Sequence, residues 1–268
     1  MRTDRFRQLL NLCLAIAQPV VALLVNLEIT GPSIGAISNR YPTYVVPAGY
    51  AFSIWSLIFA LSLGYGIWQA RPSQKENPLL RRIGWLTASA LAASSIWMLV
   101  FQQRLFVLGL AVIVWLLVSL IAVVARIYQH NRTFSQAERW LVYVHFSIFL
   151  GWVTVATVAN VGQVLTALGW SGWGIQLETW GLVALILAGA IGSVVTAAMK
   201  GNVPYALAVI WALIAIAVNQ YTQSVPTSST TVGAIAAGMA LLVAATLLIS
   251  LIRHGAWRIS QLDAPLKT

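Results

Sequence analysis

Three residues in the middle of the chain have the types and the spacing to form one wall of a ligand site. Trp152, Ala156 and Asn160 follow one another at intervals of four residues, and such positions lie on one face of a helix. A large ring, a small gap and an amide on one stripe suit a flat ligand, because apolar walls supply affinity and a few polar groups orient the ligand. The alternative is ordinary helix packing, with Asn160 bonded to a neighbouring helix.

A second group of aromatic side chains lies where an apolar segment begins. Tyr50, Phe52 and Trp55 follow Pro47 closely, and proline is well tolerated at the start of a helix because the first N–H groups have no partner there. Three aromatic side chains within six residues predict either a second ligand wall or an aromatic belt at the level of the lipid headgroups.

Polar residues inside apolar segments are costly and therefore informative. His145 is the only histidine placed this way, and it indicates either a hydrogen bond between helices or a contact with a ligand. A metal site is not predicted, because no second histidine, cysteine or carboxylate follows at ligand spacing. Glu28 and Glu178 stand at segment ends, where a carboxylate is usually solvated; a proton-coupled transporter is the alternative.

The sequence contains no catalytic motif. A phosphate-binding glycine loop, a nucleophile elbow and a zinc-protease HExxH motif are all absent, so we expect no catalytic residues, no cofactor and no enzyme activity. Cys13 is the single cysteine, which excludes an internal disulfide. Nucleic acid is not an expected partner, because no basic surface alternates with exposed aromatics.

The composition places these residues in a membrane. Of the 268 residues, 59% are hydrophobic and 8% are charged, and a soluble domain of this size cannot bury so much apolar surface. Apolar runs long enough to cross a ~30 Å hydrocarbon layer predict an all-α integral membrane protein with about eight spans, at residues 9–27, 50–69, 83–101, 106–127, 140–158, 179–199, 204–221 and 232–252.

The basic residues give an independent test of this count. With eight spans, fourteen of the sixteen lysines and arginines fall on one side, and only Arg40 and Arg104 fall on the other. Cytoplasmic loops carry such an excess, so we expect both termini in the cytoplasm. The net charge of +10 therefore indicates topology and contact with anionic membrane lipid rather than nucleic acid.

Two features belong to the last part of the chain. Trp170, Trp173 and Trp180 alternate with glycines before the sixth span, which is typical of a short interfacial segment. Gly189 and Gly192 give the sixth span a face of small residues, which predicts close contact with another helix rather than with lipid.

The motifs described above resemble those of the TspO/MBR family of tryptophan-rich sensory proteins. The most specific is Trp-x-x-x-Ala-Thr-x-x-Asn in the fifth helix, which Trp152, Ala156, Thr157 and Asn160 match with identical spacing. The family's third-helix pattern is similar to the stretch that ends in Trp97, with serine in place of an asparagine.

The opening of the second span is also similar to the family pattern Pro-Pro-x-Trp-x-Phe-x-x-x-Trp, with Pro47, Tyr50, Phe52 and Trp55. Ala48 stands in place of a proline and Tyr50 in place of a tryptophan. The resemblance covers residues 9–168 and implies the family's five-helix bundle as the first region, residues 1–168. Residues 169–268 are then an additional three-helix region with a short cytoplasmic tail, for which the resemblance implies no role.

The resemblance implies a receptor or carrier that binds a flat hydrophobic molecule, such as the tetrapyrrole protoporphyrin, in the bundle. The ligand-binding residues expected on this basis are Tyr50, Phe52, Trp55, Trp97, His145, Trp152, Ala156 and Asn160. Arg40 is a candidate partner for a propionate group. A proton-coupled secondary transporter of a small hydrophobic solute and enzymatic tetrapyrrole breakdown are the alternatives. We expect the bacterial inner membrane as the location; a homodimer is compatible with the sequence.

Overall fold

The computed structural model describes residues 2–130, 133–222 and 227–254, and these residues fold into α-helices joined by short turns. Eight of the helices are long and apolar enough to cross a membrane, so the expectation of an all-α membrane protein with eight spans is confirmed. In chain order the helices are α1 (Arg2–Asn26), α2 (Ile34–Arg40), α3 (Ile54–Gln69), α4 (Pro78–Gln102), α5 (Phe106–Tyr128), α6 (Gln136–Glu138), α7 (His145–Ala167), α8 (Leu177–Ala198), α9 (Val203–Thr222) and α10 (Thr230–His254).

Two spans begin differently from the prediction. The second span opens with the 3₁₀ turn Gly49–Ser53 before α3, so Tyr50 and Phe52 do not lie on an α-helix. The fifth span, predicted at residues 140–158, is one continuous helical stretch over Gln136–Ala167. It starts with a capping box between Ser135 and Glu138, passes through the π-helical turn Arg139–Val144 and continues as α7. The longer helix places Asn160 within regular helix rather than beyond its end.

The first five spans form a ring. Helix α1 packs on α3 and α4, α4 packs on α5, α5 packs on α7, and α7 returns to α3. Side chains fix the register between α1 and α4 at one end, where the Arg81 guanidinium donates to both carboxylate oxygens of Asp4 at 3.1 and 2.9 Å. The Asn11 amide, about two helical turns after Asp4, donates to the Gly84 carbonyl oxygen at 2.8 Å. This ring is the five-helix bundle that the resemblance implies.

The last three spans attach to this ring mainly through α9, which packs along α7, and α8 makes a smaller contact with α7. Helix α10 packs on both α8 and α9. A Cβ atom at Gly189 would lie 2.6 Å from Met239 of α10, and one at Gly192 would lie 2.8 Å from Val209 of α9. The prediction that the small-residue face of the sixth span meets protein is therefore confirmed. The division of the chain at residue 168 stays a prediction.

The orientation of the spans is a testable prediction. The end of the bundle that carries α2, here called the outer end, holds Arg40 and Arg104, and the opposite end holds the other basic residues that the structure describes. Arg132, Arg258 and Lys267, which also enter the predicted asymmetry, lie outside the described residues. Because basic loops stay in the cytoplasm, we expect a reporter inserted into residues 71–77 to report a cytoplasmic location.

The matched insertion lies between α9 and α10. We expect the same reporter there, in a loop whose residues 223–226 lie outside the described residues, to report the opposite side of the membrane. Two insertions that report the same side would contradict the eight-span arrangement, and a swap of the two sides would reverse the expected orientation.

Candidate functional site

An apolar cavity lies between α3, α4 and α7 near the outer end of the bundle. Its volume is about 40 Å³, which is enough for a few water molecules. Six of the eight residues predicted to bind a ligand line it, and these are Phe52, Trp55, Trp97, Trp152, Ala156 and Asn160. The structure therefore brings the three sequence motifs together around one space.

The aromatic residues form two walls that meet nearly at right angles. Trp55 stacks on Trp97 with ring centroids 6.1 Å apart and an angle of 19° between the planes. Trp152 stands edge-on to Trp55 at 6.3 Å and 84°, and edge-on to Phe52 at 6.0 Å and 80°. Such edge-to-face and offset contacts are the favourable geometries for aromatic rings, so the walls hold one another in place without a ligand.

Asn160 links the motif of α7 to the motif of α4. The Trp97 indole N–H donates to Asn160 Oδ1 at 3.2 Å, and Asn160 Nδ2 donates to the Ala156 carbonyl oxygen one turn earlier at 3.0 Å. The amide thus fixes the orientation of the Trp97 ring. An Asn160→Leu substitution would leave the buried Trp97 N–H unpaired, which costs more than the loss of an orienting group alone.

Trp152 places in the wall of the cavity an indole N–H group that has no hydrogen-bond partner among the described residues. Its side chain is 3% exposed, yet its indole Nε1–H finds no hydrogen-bond partner within the part of the chain that the structure describes. Buried donors are normally paired, and an unpaired one is costly. A ligand with a hydrogen-bond acceptor would satisfy it.

Tyr50 and His145 do not line the cavity. Tyr50 is 45% exposed and packs edge-on against Trp211 of α9, with ring centroids 5.3 Å apart, because the 3₁₀ turn directs it away from Phe52. His145 is fully buried and shares a hydrogen bond of 2.9 Å between its Nε2 and Ser62 Oγ. It lies seven residues before Trp152, about 10 Å along the helix axis, which matches the interpretation as a bond between helices.

The charged candidates also lie away from the cavity. Arg40 is exposed at the end of α2. Glu28 accepts a hydrogen bond from the backbone N–H of Ser33 at 3.2 Å, and Glu178 accepts one from the Ser229 hydroxyl at the start of α10. Both carboxylates stabilise turns at the outer end.

The sequence analysis missed one wall of the cavity. Residues 43–48, here called the strap, cross the outer end as a loop with a turn at Tyr44 and Val45. Val45, Val46 and Pro47 line the cavity together with Ala212 of α9. Asn219 Nδ2 donates to the Val46 carbonyl oxygen at 3.0 Å, and Gln220 Nε2 donates to the Tyr44 carbonyl oxygen at 2.9 Å. The available signal in the sequence was the adjacent pair Asn219 and Gln220 near the end of an apolar span, since such polar side chains need hydrogen-bond partners.

A second part of this missed wall comes from α2. Ile34 and Ser38 line the cavity, and Gln163 of α7 donates through Nε2 to Ser38 Oγ at 3.1 Å. The cavity is therefore closed at its outer end by chain that precedes the second span, not by the helices of the ring.

Comparison with known proteins supports the resemblance and extends it. A family model described as TSPO-like protein matches residues 8–249, whereas curated proteins and solved structures give no significant match. The expectation that the resemblance ends at residue 168 is wrong, since the matched region runs into α10 and includes all of α8 and α9. With most of its length matched, the chain belongs to the TSPO-like protein family.

Proposed function

We propose that the protein is a receptor or carrier that binds a flat hydrophobic molecule, a tetrapyrrole such as protoporphyrin, in the cavity between α3, α4 and α7, without converting it chemically. Membership of the family makes it a membrane protein that binds a ligand or takes part in transport. The observation that carries the finer proposal is the convergence of Trp55, Trp97 and Trp152 on one apolar space that contains an unused indole donor.

The proposal requires the cavity to widen. Its volume of about 40 Å³ is well below the roughly 300–1,000 Å³ typical of ligand pockets. Three of its sides are membrane helices packed in a ring. The strap is a loop that accepts hydrogen bonds from Asn219 and Gln220 and donates one from the Ala48 backbone N–H to the Ala215 carbonyl oxygen. Because the strap, among the described residues that line the cavity, is the one segment that forms a loop between helices, we expect the ligand to enter by moving it.

The alternative of a proton-coupled transporter has less support. A proton site for transport is expected inside a span, facing a cavity. Glu28 and Glu178 lie instead at the outer ends of helices and are bonded to Ser33 and Ser229. Binding therefore remains the proposed function, and transport is a separate property that can be measured after binding.

Titration of the purified protein with protoporphyrin, followed by quenching of tryptophan fluorescence, tests the proposal. We expect saturable binding by the wild type. Trp152→Ala should weaken it by about 1–3 kcal/mol, roughly ten- to hundred-fold, through lost aromatic contact. Trp152→Phe should weaken it less, because a ring remains while the indole donor is lost.

Trp115→Ala is the control for these variants. Trp115 is a half-exposed residue of α5 that donates to Ser89 Oγ and does not line the cavity, so its removal should leave the affinity unchanged. If Trp152→Ala binds porphyrin like the wild type, the ligand does not lie in this cavity.

A further inference from the structure

A second and larger apolar cavity lies on the lipid side of α7. It is about 390 Å³ in volume, which falls within the range of ligand pockets. One wall is a stripe of α7 and the other is a stripe of α8. Strap residues Thr43, Tyr44 and Val45 line a third side. The residues that define the two stripes are Val158, Val161, Leu165, Leu177, Ala184 and Leu187. We call this cavity the α7–α8 groove.

Three tryptophans close the outer end of the groove. Trp170 packs against Trp173 and Trp180, with ring centroids 5.4 and 5.2 Å away, and Trp180 Nε1 donates to the Gly172 carbonyl oxygen at 3.1 Å. Trp173 has a left-handed backbone (φ 55°, ψ 36°) and is 79% exposed. A bulky residue in this conformation is strained, so the turn holds an indole outward at the level where tryptophans meet lipid headgroups.

The groove opens sideways within the membrane-spanning part of α8. Three of its lining residues remain largely exposed, Val161 at 41%, Val183 at 49% and Leu187 at 53%. Leu177 and Leu187 are ten residues apart, which is about 15 Å along a helix. Half of a ~30 Å hydrocarbon layer is the same length, so the groove runs from the headgroup level to about the middle of the membrane.

The walls of the groove carry no charge. Among the described residues that line it, the polar side chains are the threonines, the indoles and Tyr44. Burial and the neighbouring Glu178 carboxylate both raise the pKa of the Tyr44 phenol, so it stays neutral at physiological pH. Uncharged walls of this kind favour hydrocarbon and offer nothing to hold a phosphate or a carboxylate inside the groove.

We propose that the α7–α8 groove is a second binding site, and that it holds the hydrocarbon tail of one membrane lipid from the leaflet at the outer end, with the headgroup beside the three tryptophans. Three observations favour a lipid tail as the occupant. The length of the groove matches the depth of one leaflet, the groove opens sideways, and its walls carry no charge. The site does not depend on the proposed binding of a tetrapyrrole.

The two cavities share a wall. Val45 of the strap lines both of them, and it packs against Gly162 of α7, where a Cβ atom would lie 3.4 Å from the Val45 side chain. A lipid tail in the groove therefore supports the same segment that closes the first cavity.

Native mass spectrometry of the purified full chain tests the second site. After delipidation in mild detergent, phosphatidylethanolamine is added and the number of lipids retained per chain is counted. We expect the wild type to retain one lipid. Ala184→Phe, which fills the groove from α8, should reduce this occupancy about ten-fold or more at the same lipid concentration, and Val161→Trp should do the same from α7.

Ala190→Phe is the matched control, because Ala190 lies on the same helix, is exposed and does not line the groove. It should retain lipid like the wild type. Equal retention by Ala184→Phe, Val161→Trp and Ala190→Phe would overturn the proposal. So would a wild type that retains no phospholipid but holds a smaller apolar molecule that Ala184→Phe displaces.

Discussion

Gly151→Ala is expected to destabilise the protein by about 2–3 kcal/mol, the upper part of the range for overpacking a filled interior. Gly151 lies where α7 and α9 approach most closely, and a Cβ atom there would lie 2.5 Å from the Tyr205 carbonyl oxygen and 2.9 Å from the Ala208 Cβ atom. The carbonyl belongs to the backbone of α9 and cannot rotate away, so the two helices must separate. Thermal unfolding in detergent, followed by loss of monodisperse protein, measures the effect.

Gly109→Ala is the matched control and should not destabilise the protein. Gly109 also lies in a membrane helix, but a Cβ atom there would meet its nearest neighbour, Phe101, at 3.8 Å, an ordinary contact. Since alanine is favoured over glycine in a helix by up to about 1 kcal/mol, Gly109→Ala should leave the stability unchanged or raise it. Equal midpoints for the two variants would contradict the close packing of α7 on α9.

The consequence of Gly151→Ala extends to the ligand cavity. Helix α9 carries Asn219 and Gln220, which hold the strap, and Ala212, which lines the cavity. A displaced α9 loosens that wall, so porphyrin binding should weaken together with stability. Helix α9 of the C-terminal region therefore completes the cavity of the bundle, a role that the resemblance of residues 9–168 did not imply.

The spans were predictable because they depend on length and hydropathy alone. A run of about twenty apolar residues has few alternatives to crossing the membrane, and basic residues between the runs restrict the count. The face formed by Trp152, Ala156 and Asn160 was predictable for a similar reason, since helical periodicity fixes which side chains lie together. Both inferences use information that is local in the sequence.

The positions that the sequence did not indicate depend on contacts between distant segments. Tyr50 was placed with Phe52 on the assumption of an α-helix, whereas the 3₁₀ turn Gly49–Ser53 rotates it toward Trp211. His145 Nε2 is hydrogen-bonded to Ser62 Oγ, a contact that only the packing of α7 on α3 reveals. The strap lies over the cavity because amides of α9 bind it from more than 170 residues away in the chain, and no spacing within the strap predicts that.

Ala156→Phe should abolish porphyrin binding, by at least about a hundred-fold, or close to 3 kcal/mol. Ala156 is the small gap between Trp152 and Asn160 on the wall of α7, and the cavity in front of it has a volume of about 40 Å³. A phenyl ring there occupies the space that a flat ligand needs and cannot be displaced by it. The added ring also strains the closed cavity by about 1–3 kcal/mol, so part of the effect appears as lower stability.

Ala111→Phe separates these two contributions. Ala111 lies on α5, is exposed and does not line the cavity, so the same substitution there should leave both affinity and unfolding midpoint near the wild-type values.

Binding is compared only between variants that remain monodisperse, because a misfolded membrane protein also loses its ligand. A folded Ala156→Phe variant that still binds porphyrin with wild-type affinity would place the ligand elsewhere, and the Trp152 titration would then also show no change. Loss of binding in Ala156→Phe with retention in Ala111→Phe places the ligand against α7, because the added ring fills the space in front of residue 156 that lies between the two tryptophan walls.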